Sequence, residues 1–194
     1  MTDPDEMREA IAAVAAAFEA LNVRWAIGGS LASAAYGEPR STNDADLVAA
    51  LTEPDARALV ARLGDTFYGD ADTAAEAVRR RSSFNVIDRR SFIKVDVFVP
   101  APGPLGTGQL DRRVHLEIFA GMAPVPILTA EDIVLQKLRW FQLGGELSDR
   151  QWRDVLSVLR GSRADLDDGY LTSVAAGAGL AEILERARRD VSKP

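Results

Sequence analysis

The segment from Ser83 to Val99 alternates apolar and polar residues with a period of two, and it constrains the fold more than any other stretch. Its two halves flank a charged turn, Asp88 to Arg90, so the pattern predicts a β-hairpin with one buried face. Helical patterns precede and follow this hairpin. Because strands and helices mix in the first part of the chain and only helices follow, we predict an α/β (α+β) fold. In it a mixed sheet flanked by helices precedes a C-terminal helical region.

The order of the predicted elements divides the chain near Pro126. Residues 1–126 are predicted to form the sheet-containing domain. Residues 127–194 are predicted to form a region of amphipathic helices, which completes a binding cleft together with that domain. The proline- and glycine-rich residues 100–109 are predicted to be a mobile loop, and the alanine-rich end of the chain one last helix. Residues 66–82, which are acidic and then basic, match no pattern that assigns them a role.

The composition removes several classes of site. The chain has no cysteine, so it contains no disulfide, thiolate metal ligand or cysteine nucleophile. His115 is its only histidine, which excludes a multi-histidine metal site. A formal net charge of −6 argues against binding nucleic acid through overall charge. A nucleic acid would therefore need a local patch, for which the arginine clusters Arg79–Arg81, Arg89–Arg90 and Arg112–Arg113 are candidates.

The N-terminus predicts a helix and not an export signal. Acidic residues precede its apolar run, no cationic segment is present, and Glu19 interrupts the run. No apolar stretch of the chain approaches the roughly 18 residues that cross a bilayer. We therefore expect a cytoplasmic protein with no membrane partner.

Two aspartates, Asp44 and Asp46, stand two residues apart in a predicted strand, so both project from one face. At roughly 4 Å their charges repel by about 4 kcal/mol at an effective dielectric near 20, and a cation is expected between them. Asp96 lies in the hairpin, where its neighbours favour an apolar residue, and is the expected third carboxylate. Oxygen ligands alone suit Mg²⁺ or Mn²⁺, and we expect two such ions roughly 3.5 to 4 Å apart.

A Gly-Gly-Ser turn precedes these aspartates. A predicted strand ends at Gly28 and Gly29, and a helix follows from Ser30. Such a turn presents backbone N–H groups and the positive end of a helix, which is how a triphosphate is usually held. Arg40 can pair with a phosphate oxygen. Each element alone has an ordinary structural explanation, but their order along the chain favours a nucleoside triphosphate site.

With these residues, the chain resembles the nucleotidyltransferase superfamily, whose pattern is a G-G-S turn, a downstream D-x-D and a third aspartate on a later strand. The segment from Gly37 to Asp46 narrows the resemblance, because it has the form G-x-x-R-x-T-x-D-x-D. This form, which contains Arg40 and Thr42, is similar to that of the minimal AbiEii-type proteins, a group that includes toxins of toxin-antitoxin systems.

The C-terminal half extends the resemblance. Proteins of this type place a lysine, and further on an R-x-x-R-D stretch, against the nucleotide. Here Lys137 lies in a predicted helix, and Arg150, Arg153 and Asp154 lie in the next one. The resemblance implies that Lys137 contacts the triphosphate and that Asp154 orients the triphosphate or the base. Both residues also suit the solvated faces of amphipathic helices.

The resemblance implies an enzyme that moves a nucleoside monophosphate from an NTP to an acceptor hydroxyl. Asp44 and Asp46 would hold two Mg²⁺ or Mn²⁺ ions, and Asp96 would complete the metal site and act as base. Ser30, with the turn at Gly28 and Gly29, would hold the β- and γ-phosphates. Catalysis would come from positioning and charge neutralisation and not from a covalent intermediate.

Three functions stay open at this point. A toxin-like enzyme would modify tRNA, held by the arginine clusters, and would have a cognate antitoxin as partner. A small-molecule enzyme would instead modify a cationic aminoglycoside, with which the net charge of −6 is compatible. A non-catalytic protein would bind a nucleotide or an antitoxin and keep the fold.

Overall fold

The period-two segment forms the predicted hairpin. In a computed structural model that describes residues 3–121, 123–162 and 164–192, this hairpin consists of β4 (Ser83–Asp88) and β5 (Lys94–Phe98), which pair antiparallel. Val95 and Val97 are fully buried, whereas Asp96 faces the other side of the sheet and is partly exposed. The alternation therefore separates a core face from a face that is available to a site.

The other strands complete one mixed sheet, which confirms the predicted fold class. They are β1 (Trp25–Ile27), β2 (Asp44–Ala49), β3 (Phe67–Tyr68), β6 (Val114–Leu116) and β7 (Val125–Ile127). In the described part of the chain the strand order is β3-β4-β5-β2-β1-β7-β6. β2 runs parallel to β5, and β1 runs antiparallel to β2 and parallel to β7. Residue 126, the predicted boundary, thus lies inside a strand of the sheet.

Helices cover the sheet and build the C-terminal part. They are α1 (Pro4–Ala20), α2 (Gly29–Tyr36), α3 (Glu53–Leu63), α4 (Ala71–Arg80), α5 (Thr107–Arg112), α6 (Ala130–Leu143), α7 (Asp149–Gly161), α8 (Asp168–Gly177) and α9 (Ala181–Val191). Side chains of Thr52, Thr129 and Ser148 accept hydrogen bonds from backbone N–H groups and so cap α3, α6 and α7. α2 contacts both α6 and α7, which joins the glycine turn to the C-terminal helices.

Two local predictions were wrong. The last helix is divided into α8 and α9, because Gly179 adopts φ +70° between them and Leu180 is buried at the junction. The proline- and glycine-rich segment is shorter than predicted, since α5 begins at Thr107. Before α5, the chain turns so tightly that a Cβ on Gly106 would lie 1.7 Å from the carbonyl oxygen of Ala101.

Residues 66–82 contribute β3 and α4, and α4 packs against α3. Asp70 caps α4 by accepting a hydrogen bond from the N–H of Thr73. Arg81 ends the helix with φ +51°, and its Nη1 donates to the carbonyl of Pro100 at 3.3 Å. The segment therefore packs against α3 through α4 and brings Arg81 to the loop after β5. None of the helices in the described residues has the length and apolar character of a membrane span.

Candidate active site

The Gly-Gly-Ser turn packs directly against the second aspartate of the D-x-D pair. Gly28 N–H donates to the carbonyl of Asp46 at 2.9 Å, and Ser30 N–H donates to Asp46 Oδ2 at 3.3 Å. Gly29 has φ +55°, and a Cβ at this position would lie 1.9 Å from Asp46 Oδ2. Any side chain at Gly29 would overlap the carboxylate, so glycine is required here by both backbone conformation and space.

The three aspartates lie on two neighbouring strands. Asp44 and Asp46 share one face of β2, and Asp46 pairs in register with Asp96 of β5. Lys94 of β5 lies opposite Asp44 of β2 in the strand register. Its Nζ lies 2.8 Å from Asp96 Oδ2 and 3.8 Å from Asp44 Oδ1. The ammonium of Lys94 thus offsets part of the negative charge of Asp96 and Asp44.

The charges of this group perturb one another. Burial raises the pKa of Asp46 above its ordinary value, and repulsion from Asp96 and Asp44 adds to this, although the hydrogen bond from Ser30 opposes it. The hydrogen bond to Asp96 raises the pKa of Lys94, because the carboxylate favours the charged ammonium. The strand pair therefore concentrates negative charge and holds one cation beside it.

A second cluster of charged side chains contacts Ser30 of the glycine turn and joins residues 30–40 to α6 and α7. Arg40 forms two hydrogen bonds of 3.0 Å with Asp154, one to each carboxylate oxygen, and Lys137 Nζ lies 2.7 Å from Asp154 Oδ2. Arg40 Nη2 also donates to Ser30 Oγ at 2.5 Å, and Arg150 Nη2 approaches the same hydroxyl at 3.3 Å. Three cations thus surround the Ser30 side chain and Asp154.

Asp154 is buried and is held as a carboxylate by its partners. Burial alone would raise the pKa of Asp154, but the hydrogen bonds from Arg40 and Lys137 outweigh it and lower the pKa below its ordinary value. Lys137 is also buried, and its neighbour Leu138 on α6 is fully buried in the core, which holds this turn of α6 in place. The cluster is therefore a fixed part of the fold.

A cleft of about 1000 Å³ runs beside both clusters. Its lining includes the predicted residues Gly29, Ser30, Thr42, Asp44, Asp46 and Lys137. Thr42 Oγ1 donates to the backbone carbonyl of Asp44 at 3.1 Å, which fixes the start of β2. Four further predicted residues are not part of this lining but contact residues of the site: Gly28, Arg40, Asp96 and Asp154.

A sequence model described as "Nucleotidyl transferase AbiEii toxin, Type IV TA system" matches residues 12–189, which is most of the chain. The chain belongs to the AbiEii nucleotidyltransferase family. The protein is therefore a nucleotidyltransferase, as its G-G-S and D-x-D motifs predicted. None of the curated protein sequences matches the chain.

Solved structures share the fold of this AbiEii-family chain. The antibiotic-resistance factor ANT(2'')-Ia in solution has a TM-score of 0.56 and 17% identity, covering 93% of this chain and 95% of its own. An antigenic nucleotidyltransferase-like protein from Paracoccidioides brasiliensis has a TM-score of 0.54 and 19% identity, covering 96% and 93%. ANT(2'')-Ia in complex with adenylyl-2''-tobramycin has a TM-score of 0.50 and 16% identity, covering 94% and 96%. At these identities the likeness establishes the nucleotidyltransferase fold.

The carboxylates of the AbiEii-family chain have the chemistry, but not the arrangement, of a metal centre. The described residues contain no group of three or more His, Cys, Asp or Glu side chains placed to hold one ion. Lys94 lies between Asp96 and Asp44 in this conformation. Three carboxylate side chains on adjacent strands nevertheless supply the oxygen donors that a hard divalent cation prefers. The two-ion site stays a prediction.

The arginine clusters lie on separate elements, and several of their members are already paired. Arg79, Arg90 and Arg112 each contact acidic side chains, whereas Arg81 lines the cleft. The acidic partners are Glu53 and Glu76 for Arg79, Glu9 for Arg90, and Glu131 and Asp132 for Arg112. Among these arginines, Arg81 is the one that the cleft itself presents to a ligand.

Two contacts in the site could not be predicted from local patterns. The period of two predicts Lys94 on the same strand face as Asp96, but it does not predict the ion pairs that Lys94 forms with Asp96 and Asp44. Arg81 and Trp140 reach the cleft only because α4 and α6 meet the loop after β5. No local pattern signals that meeting.

Proposed function

We propose that this protein transfers a nucleoside monophosphate from an NTP to a hydroxyl of tRNA, in a toxin-like role. The hydroxyl oxygen bonds to the α-phosphorus, the α–β phosphoanhydride bond breaks, and pyrophosphate leaves. The observation that carries the proposal is the convergence of Arg40 and Arg150 on the Ser30 hydroxyl, beside Asp44 and Asp46 in one cleft. Guanidinium groups and a glycine turn match the charge and shape of a triphosphate. Paired carboxylates match the cations that accompany it.

Ser30, Arg150 and Lys137 would hold the triphosphate of the NTP. Ser30 Oγ accepts hydrogen bonds from two guanidinium groups, so it fixes their position before the substrate binds. Asp154 would act through Arg40 and Lys137 as a positioning residue, because each of its oxygens is already hydrogen-bonded to one of these cations. Pre-positioned charge contributes to catalysis without reorganisation during the reaction.

Asp44 and Asp46 would hold two Mg²⁺ or Mn²⁺ ions, with Asp96 as their third ligand. Bound ions of this kind neutralise phosphate charge and favour ionisation of an attacking hydroxyl. Asp96 would accept the proton of the acceptor hydroxyl. Its Oδ2 contacts Lys94, so Lys94 would keep this carboxylate oriented on its strand.

The charge of the cleft favours tRNA over an aminoglycoside as acceptor. Of the described residues that line it, only Asp44 and Asp46 are acidic, and both would face metal ions. The lining also contains Arg81, Lys137, Arg139 and Arg150. A polycationic aminoglycoside would lack acidic partners beyond the metal site. The phosphates of RNA would instead meet Arg81 and Arg139, since Arg150 would hold the triphosphate.

The family to which the chain belongs is named for a type IV toxin-antitoxin system, which supports an antitoxin as the partner of this protein. A non-catalytic role is less consistent with the site, because the three aspartates are present on adjacent strands. The antitoxin would then control an active transferase.

A label-transfer assay tests the proposed function. The purified protein would be incubated with each α-labelled NTP in Mg²⁺ or Mn²⁺, together with total tRNA, a panel of aminoglycosides or no acceptor. Asp46→Asn should abolish labelling of tRNA and leave the thermal stability nearly unchanged, because burial already disfavours the ionised form of Asp46. Asp65→Asn changes an exposed aspartate outside the cleft and serves as the matched control.

The outcomes separate the hypotheses. Label on tRNA that disappears with Asp46→Asn and persists with Asp65→Asn supports the proposal. Label on an aminoglycoside would refute the tRNA assignment and leave the transferase intact. Binding of NTP without labelling of any acceptor would favour the non-catalytic protein.

A further inference from the structure

The cleft has a second end that the nucleotidyl-transfer machinery does not use. We call it the aromatic end; it consists of Phe98, Trp140, Leu143 and the loop of residues 100–106. Phe98 follows Asp96 by two residues on β5 and so lies on the same face of the strand. The rings of Phe98 and Trp140 meet edge to face, with centroids 6.5 Å apart.

The aromatic end leaves much apolar surface exposed. Trp140 is 53% and Leu143 65% accessible to solvent, although both lie on α6, whose opposite face belongs to the core. An indole that lines a cleft in this way offers a flat surface to a planar ligand. Stacking of a nucleobase on such a ring is the usual way in which proteins bind single-stranded RNA.

The charges around the aromatic end match a ligand that carries phosphates. Arg81 and Arg139 line the cleft with these rings, and both are exposed. Arg81 is anchored by its hydrogen bond to the carbonyl of Pro100, which orients its guanidinium at the edge of the loop. Among the described residues that line the cleft, the acidic ones are Asp44 and Asp46 of the D-x-D pair, so the aromatic end itself contains no acidic side chain.

We propose that the aromatic end binds the acceptor, with one nucleobase of a single-stranded RNA end stacked on Trp140 and its phosphates facing Arg81 and Arg139. This inference rests on the proposed function. The acceptor, and not the NTP base, is assigned to this end because Phe98 lies two residues after Asp96 on the same face of β5, and Asp96 would accept the proton of the acceptor hydroxyl. The triphosphate would lie on the other side of Asp46, near Ser30 and Lys137.

Fluorescence and kinetics of variants at Trp140 test this assignment. A single-stranded ribotrinucleotide should quench the tryptophan fluorescence of the wild-type protein, and Trp140→Phe should remove the quenching while keeping affinity close to that of the wild type. Trp140→Ala should raise the KM for tRNA about tenfold, the size of one lost base stack. The Kd for NTP, measured by calorimetry, should stay unchanged. Leu147→Ala is the control, since Leu147 is 86% exposed and lies outside the cleft.

Several results would overturn the inference. If Trp140→Ala weakens binding of NTP and leaves the KM for tRNA unchanged, the aromatic end holds the base of the nucleotide. If the ribotrinucleotide causes no quenching, or Leu147→Ala has the same effect as Trp140→Ala, no base stacks on Trp140. Quenching is measured without turnover, so the inference can be decided even if the label-transfer assay finds no tRNA acceptor.

Discussion

Replacing Asp154 by asparagine should destabilise the protein far more than replacing an exposed aspartate. The side chains of Lys137 and Asp154 are only 8% and 7% exposed and lie 2.7 Å apart. Asparagine keeps the shape of the side chain but removes its charge, so Lys137 would stay buried without a counter-ion. Removing one partner of a buried ion pair costs about 3 to 5 kcal/mol.

The lower end of that range applies here. Arg40, the other cation of the cluster, is 27% exposed, so solvent can hydrate it when Asp154 is lost. We therefore expect the free energy of unfolding to fall by about 3 kcal/mol. For a chain of this size each kcal/mol lowers Tm by about 2 to 4 °C, which gives a decrease of about 6 to 12 °C.

Thermal unfolding followed by circular dichroism measures this decrease, with Asp72→Asn as the control. Asp72 pairs with Arg57 at 2.7 Å on the surface, where an ion pair contributes less than about 1 kcal/mol. The double variant Lys137→Met with Asp154→Leu should recover most of the stability, because apolar replacement of a buried pair is often neutral. It should still lose NTP binding, since Lys137 is absent.

A decrease in Tm for Asp154→Asn no larger than that for Asp72→Asn would show that the buried pair contributes little to stability. The positioning role of Asp154 is refuted if Asp154→Asn keeps its Tm and loses affinity for NTP, because Asp154 would then contact the nucleotide and not position its neighbours.

Three further predictions concern the turn, the strand pair and acid stability. Gly29→Ala should lower Tm and abolish transfer, because its Cβ would overlap the carboxylate of Asp46. Gly28→Ala should be tolerated, because its Cβ would lie 3.4 Å from the nearest atom. Equal Tm values for the two variants would contradict the overlap with Asp46. Lys94→Met should tighten Mg²⁺ binding by a few-fold at most, as measured by calorimetry, because an exposed ion pair such as Lys94–Asp96 contributes under about 1 kcal/mol. Weaker Mg²⁺ binding would contradict competition between the Lys94 ammonium and the metal ion for Asp96. The lowered pKa of Asp154 should stabilise the wild-type protein above the ordinary pKa of 3.8, and this contribution should be lost as pH falls through the lower pKa of the folded state. Urea denaturation of wild type and Asp154→Asn from about pH 5 to pH 2 should therefore converge, and parallel curves would contradict it.

Local chemistry explains which features could be predicted. The hairpin and the D-x-D face follow from the period of two, because neighbouring side chains of a strand must point to opposite sides. The glycine turn follows from the conformations that only glycine adopts freely. Capping of α3, α6 and α7 follows from the hydrogen bonds that the first turn of a helix leaves unmade. Each of these rules acts within a few residues of the chain.

Features that depend on packing between distant segments could not be predicted. The resemblance implies that Asp154 orients the triphosphate or the base, but no local pattern shows that Asp154 is buried between Arg40 and Lys137. The division of the last helix at Gly179 was missed, because a glycine in an alanine-rich stretch is compatible with either one helix or two.

The sequence by itself determined the sheet-forming pattern, the three carboxylates and the turn that faces them, because these depend on backbone conformation and side-chain period. The tertiary structure alone joined Arg40 to Asp154, 114 positions away in the chain, and brought Phe98 of a strand to Trp140 of a helix. The physical reason is that burial and pairing of charge are properties of the assembled core, whose contacts are set by how helices and sheet pack together.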